Sequence, residues 1–168
     1  CTDEAAAEQA YGDIATWDTG EVTNMTGLFA SGSAWTGNGY EEIDCNPDIP
    51  AWDTSKVTTM EGMFYFNPSF NQDISAWDVG QVTSMGSMFR DADSFDQDIS
   101  AWDVGQVTSM NFMFSEAAVF NQDMPTWDVS KVTMMEYMFN EAAAFDGDIS
   151  AWDVGQVTSM WAMFKYAS

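Results

Sequence analysis

Aspartates recur in this chain at positions that could hold a hard cation. Asp18, Asp53, Asp78, Asp103, Asp128 and Asp153 each follow a tryptophan, and from Asp53 onward they return every 25 residues. A second column, Asp13, Asp48, Asp73, Asp98, Asp123 and Asp148, lies five residues upstream in each unit. If neighbouring units stack at the inter-strand spacing of about 4.8 Å, like charges that close repel by roughly 0.9 kcal/mol per pair even at the dielectric constant of water. Two arrangements relieve this repulsion. Each carboxylate can accept backbone N–H bonds at its own corner, or calcium, which takes several carboxylate and carbonyl oxygens, can bridge neighbours in the first column. No other cofactor is required by the residues present.

The remaining reactive types point away from catalysis. The chain has no histidine, no nucleophile beside a partner base and no glycine-rich phosphate loop, so it is expected not to be an enzyme. The 13 methionines offer soft sulfur. Their placement in two columns, Met25 to Met160 and Met63 to Met163 with Leu28 at the head of the second, reads as flexible core packing instead. Trp35 and Tyr40, in a glycine-rich stretch, are the candidate recognition residues, and a hydrophobic plug over the first unit is the competing reading. Trp161 is the other tryptophan outside the repeating column and is expected to be exposed.

Charge and cysteine content bound the partners and the compartment. With 27 acidic and 4 basic residues the formal net charge is −23, which removes the basic footprint that nucleic acid or an anionic membrane surface requires. The 46% hydrophobic content is too high for a disordered acidic chain. No run approaches the ~20 apolar residues of a membrane span. Cys1 and Cys45 fit one disulfide in an oxidising compartment. A start at Cys1 also suits signal cleavage, lipid attachment at the cysteine or simply the edge of a piece of a longer chain, and an extracellular or cell-surface location is expected.

What positions all these residues is a repeat. Trp17, Trp52, Trp77, Trp102, Trp127 and Trp152 anchor six units, with 35 residues between the first two tryptophans and 25 between the others. A unit this short buries its apolar face only by stacking on its neighbours, so residues 1–168 are expected to form one solenoid. Residues 1–10 read as an N-terminal helical cap, with Thr2 or Asp3 at its start, and residues 30–46 as an insertion in the first repeat. The spacing Ile74, Trp77, Val79, Val82 predicts one short parallel strand centred on the tryptophan. Val82, Met85, Met88, Phe89 and Ala92 fall at helical spacings, predicting a short helical segment. Thr58 with Glu61 and Thr133 with Glu136 match capping boxes for it. A second short strand over Val-Thr-x-Met is the alternative for that stretch. The expected fold is therefore a right-handed α/β solenoid, a leucine-rich-repeat-like array of six turns.

Threonines at 23, 58, 83, 108, 133 and 158 suggest an ice-binding face, but capping explains them more simply. The tryptophan column, in register with Ile and Val, is expected to be a stacked core ladder and not a sugar-binding strip. Cys45 stands in the column of Phe70, Phe95, Phe120 and Phe145, so it is expected to face inward near the N-terminal cap, where it can pair with Cys1.

FNQDISAWDVGQVTSM followed by MF closely resembles the repeats of the BspA-like leucine-rich-repeat surface protein family, over essentially the whole chain. That resemblance implies a secreted or surface-displayed protein used for adhesion and interaction, with no catalytic set to carry over. The expected function is a non-enzymatic repeat module that binds a protein partner or surface ligand. Its rival is a structural subunit that assembles head to tail through an uncapped end into a filament or surface layer.

Overall fold

The computed structural model describes residues 9–31 and 45–167. The tryptophan period is a physical repeat: residues 25 apart lie on adjacent turns of a stack and are joined by hydrogen bonds between turns. Among the described residues there is no strand, and the one bounded helical element is a three-residue 3-10 turn, Ile14–Thr16, capped by Asp13. Residues 9–11 are also helical, while 1–8 of the expected N-terminal cap lie outside the described residues. The expected right-handed α/β solenoid, with a strand and a helical segment in each turn, is overturned. The leucine-rich-repeat description falls with it.

The strand fails at the tryptophan because the chain turns there. Trp77 N–H donates to the Ile74 carbonyl at 3.1 Å, closing a tight turn across the segment expected to be extended, and the other units do the same. The link between turns is made by the side chain instead. The indole Nε1–H of Trp102 donates to the Ile74 carbonyl of the preceding turn at 3.1 Å, and those of Trp77, Trp127 and Trp152 to Ile49, Ile99 and Met124. Each of these buried indole N–H groups thus has a partner, as burial demands.

Parallel pairing survives only as single bridges seven residues further on, from Asn24↔Thr59 through Met134↔Ser159. The alternative reading of Val-Thr-x-Met as extended is closer to what forms. Its threonines are not helix caps. Thr83 donates both its N–H, at 2.9 Å, and its Oγ–H, at 3.1 Å, to the Thr58 carbonyl, and the column repeats this down to Thr158. The hydroxyls are spent inside the ladder, which explains the column without an ice-binding role.

The helical segment is a chain of consecutive turns. Met85, Ser87, Phe89 and Asp91 send their N–H groups to the next turn at 2.8–3.1 Å, while Met88, Arg90 and Ala92 bond three residues back. Ser87 and Asp91 have φ of 56° and 57°, and equivalents such as Phe112, Glu116, Tyr137 and Glu141 are also left-handed. An α-helix cannot pass through such residues. Successive turns place apolar side chains inward at spacings of three and four, so they mimic a helical period.

The core consists of stacked columns. Phe64, Phe89, Phe114 and Phe139 stack at 5.6–5.7 Å. Phe70, Phe95, Phe120 and Phe145 form a second column, and rings of the two columns meet within each turn, at 3.9 Å for Phe89 with Phe95. The tryptophans from Trp52 to Trp152 are buried with them, as are Met60, Met85, Met110 and Met135. Methionine therefore packs the core, as its placement suggested. At the ends of the stack the same columns surface: Trp17, Leu28, Met160 and Phe164 are each more than two-fifths exposed.

Candidate functional site

Every aspartate of the first column is committed to its own corner. Oδ1 of Asp18, Asp53, Asp78, Asp103, Asp128 and Asp153 accepts the N–H of the glycine or serine two residues on, at 2.9–3.2 Å. In the second column Asp73, Asp98 and Asp148 accept a serine N–H in the same way and Asp13 that of Ala15, while Asp123 accepts the N–H of Asp148 from the next turn. The carboxyls of Asp53, Asp73, Asp98 and Asp128 are held below the ordinary value, first by the serine hydroxyl and then by its backbone N–H; in Asp148 the backbone bond leads. Among the described residues no group of three or more acidic, cysteine or histidine side chains converges as a metal cage. These bonds give each residue of the first column the role of corner acceptor through Oδ1.

Cys45 is disulfide-bonded and buried, in the phenylalanine column where the sequence places it. Its expected partner Cys1 lies outside the described residues, as do Trp35 and Tyr40. Beside Cys45, Asn67 replaces the alanine of later turns. It is fully buried, with its Oδ1 accepting the Cys45 N–H at 3.1 Å and its Nδ2 facing the Phe29 carbonyl at 3.5 Å.

One charged cluster escaped the reading by columns. Arg90 bonds Glu116 at 3.1 Å and contacts Asp91 at 3.3 Å, with its guanidinium over the rings of Tyr65 and Phe112. Asp91 and Glu116 occupy equivalent left-handed positions in adjacent turns, which forces the two carboxyls together. Burial, then the Glu116 charge, pushes Asp91 up to about 7 against the opposing pull of Arg90, with Asp93 adding to the rise. An acid whose pKa is raised by folding contributes stability below its unfolded value of 3.8 that is lost as pH climbs toward about 7. The melting temperature is therefore expected to fall between pH 4.5 and 7.5, and Asp91→Asn, which suits a left-handed backbone, should flatten the profile. Parallel profiles for the two proteins would refute this assignment.

The bridge-bearing face carries a second departure from periodicity. Phe112 stacks on Tyr137 at 4.6 Å, and Tyr137 meets Trp161 edge-on at 4.8 Å. Trp161 is 66% exposed, as expected from its place outside the main column, and Met134 beside the strip is 41% exposed. Equivalent positions in earlier turns hold Gly62 and Ser87, so bulky rings here occupy a strained backbone that glycine would fill without cost. The signal was available in the sequence as Phe112 and Tyr137 interrupting a column of small residues.

Against known proteins, the chain matches the family described as Mycoplasma protein of unknown function, DUF285, in three overlapping segments, residues 4–106, 38–133 and 102–168. No curated protein and no solved structure matches it.

Proposed function

The chain belongs to this DUF285 family, and we propose that it is a non-enzymatic, extracellular or surface-displayed module for protein–protein interaction or adhesion. The observation that carries this reading is the pair of exposed side chains Met134 and Trp161, joined by the half-buried Tyr137, on one face of an otherwise periodic stack. Apolar surface gathered at one place marks contact sites, and aromatic rings are favoured there. The resemblance of the repeats to BspA-like surface proteins supports the same reading, as does a disulfide at Cys45. Among the described residues no helix is long and apolar enough to cross a membrane.

The test is retention under flow. Displayed on a non-adherent bacterium, the chain should hold cells on at least one of several protein-coated surfaces, and Met134→Ser with Trp161→Ser should release them. Equal retention by the two forms, or none by either, would sink the reading.

Head-to-tail assembly has an observation of its own. The N–H groups of Met160, Ala162, Phe164 and Tyr166 have no partner among the described residues, and neither do the carbonyls of Asn24, Thr26, Leu28 and Ala30. These are the donor and acceptor rows that join neighbouring turns elsewhere, as in Met135 to Ser159 and Tyr137 to Trp161. Further repeats of a longer chain or a second copy would meet these rows equally well, and a second copy continuing the stack in register would give open fibres. Light scattering should then show growth with concentration that Phe164→Asp abolishes, whereas a monomer at all concentrations rejects assembly.

A further inference from the structure

Gly86 breaks a column of side chains. The equivalent residues of the other turns are Thr26, Glu61, Asn111, Glu136 and Trp161, so one projecting side chain is missing midway along the bridge-bearing face. A depression of about 490 Å³ results, with Ser84 and Ser109 beneath it, Glu61 and Asn111 on either side, and Phe112 and Met134 at the rim. This volume lies within the usual range for ligand pockets.

The serine and glutamate groups around it are unspent. The hydroxyls of Ser84 and Ser109, both half-buried, have no partner among the described residues, and the Glu61 carboxylate makes no ion pair. Asn111 is held in place: its Oδ1 accepts the Glu136 N–H at 2.8 Å and its Nδ2 donates to the Met134 sulfur at 3.7 Å, which fixes the thioether beside the depression. Acceptors outnumber donors, and no cationic side chain lines the pocket. An anion is thereby disfavoured.

A sugar ring would need an open aromatic face. Phe112 has none to give: the Arg90 guanidinium lies over its ring at 5.2 Å from the preceding turn, and Tyr137 stacks on it at 4.6 Å from the following one. What the rim offers is a ring edge and a thioether, suited to a methylene chain.

We infer that the Gly86 depression receives a lysine side chain of a basic protein partner, its ammonium on Glu61 and the serine hydroxyls and its stem along Phe112 and Met134. The inference rests on the interaction reading above and names the chemistry of the partner. The net charge of −23 would draw such a partner in from a distance.

Decalysine titrated by calorimetry at physiological salt tests this, because diffuse attraction to the whole acidic surface and insertion at Gly86 respond differently to mutation. A Cβ at Gly86 would sit 3.6 Å or more from its neighbours, so Gly86→Gln fills the depression without strain and without changing charge. Gly86→Gln and Glu61→Gln should each weaken binding about fivefold, the scale of one exposed ion pair. Asp103→Asn, which removes the same charge elsewhere, should have less than half that effect, and fully acetylated decalysine should not bind. Equal effects of Glu61→Gln and Asp103→Asn with a silent Gly86→Gln would overturn the site. That result together with adhesion still dependent on Trp161 would leave the broader function standing.

Discussion

Phe114→Ala lowers stability by about 3–5 kcal/mol and divides unfolding into two steps. Phe114 is fully buried at the middle of the stack, with Phe89 and Phe139 at 5.6 Å on either side and Phe120 at 4.0 Å within its own turn. Truncation opens a cavity that no neighbour can fill, because each adjacent ring is held in its own column. In a stack each turn contacts only its neighbours, so cooperativity depends on every interface being strong. Weakening the fourth turn should let the turns before and after it unfold separately. Trp52 and Trp77 report on one side and Trp127 and Trp152 on the other, so tryptophan emission during urea unfolding should become biphasic. Phe164→Ala, at a ring 48% exposed on the last turn, should cost less than about 1 kcal/mol and leave one transition. Equal losses at the two positions would show that burial in the columns is not what holds the turns together.

The parts of this fold that were legible beforehand are those that depend on side-chain period alone. Phenylalanine, methionine and tryptophan columns follow directly from a spacing of 25, and they are buried as that spacing implies. Cys45 standing in a phenylalanine column likewise announced an inward-facing sulfur. The backbone was not legible, because two different hydrogen-bond schemes satisfy one apolar pattern. Spacings of three and four arise from an α-helix or from linked turns, and nothing in Val82 to Ala92 distinguishes them until Ser87 and Asp91 are seen at positive φ. The tryptophan misled for a related reason. Its inward orientation was readable, yet its use of an indole N–H in place of a strand ladder depends on the turn closed by Ile74.

The site followed the opposite logic. Features that recur in every turn, such as the aspartate corners, are occupied by the fold itself, whereas the free surface chemistry sits at positions where one turn departs from the others. Gly86 in a column of side chains, Phe112 and Tyr137 in a column of small residues, and Asp91 stacked on Glu116 are all of this kind. Periodic alignment draws attention to the consensus, and function has to be sought in the exceptions.

Gly147 is such an exception with a structural consequence. Gln72, Gln97 and Gln122 hold the same position in earlier turns, and each donates its side-chain amide to the turn before, as Gln97 does to the Asn71 carbonyl at 3.1 Å. A consensus argument would restore glutamine at 147 and expect a gain. The structure points the other way. Without a side chain the last turn moves in on its neighbour there, and Met124 N–H donates to the Asp148 carbonyl at 3.0 Å, a bond that no other pair of described turns makes. A Cβ at Gly147 would collide with the Gln122 carbonyl oxygen and press to 3.0 Å from the Phe145 ring. Gly147→Ala should therefore cost about 1–3 kcal/mol, the usual penalty of overpacking against backbone. Gly147→Gln should cost less, because the restored amide bond recovers about 1 kcal/mol as the turn backs away. Thermal melting of both variants checks the order. An alanine variant as stable as the parent would mean that the last turn yields freely and that the Met124 to Asp148 bond holds nothing in place.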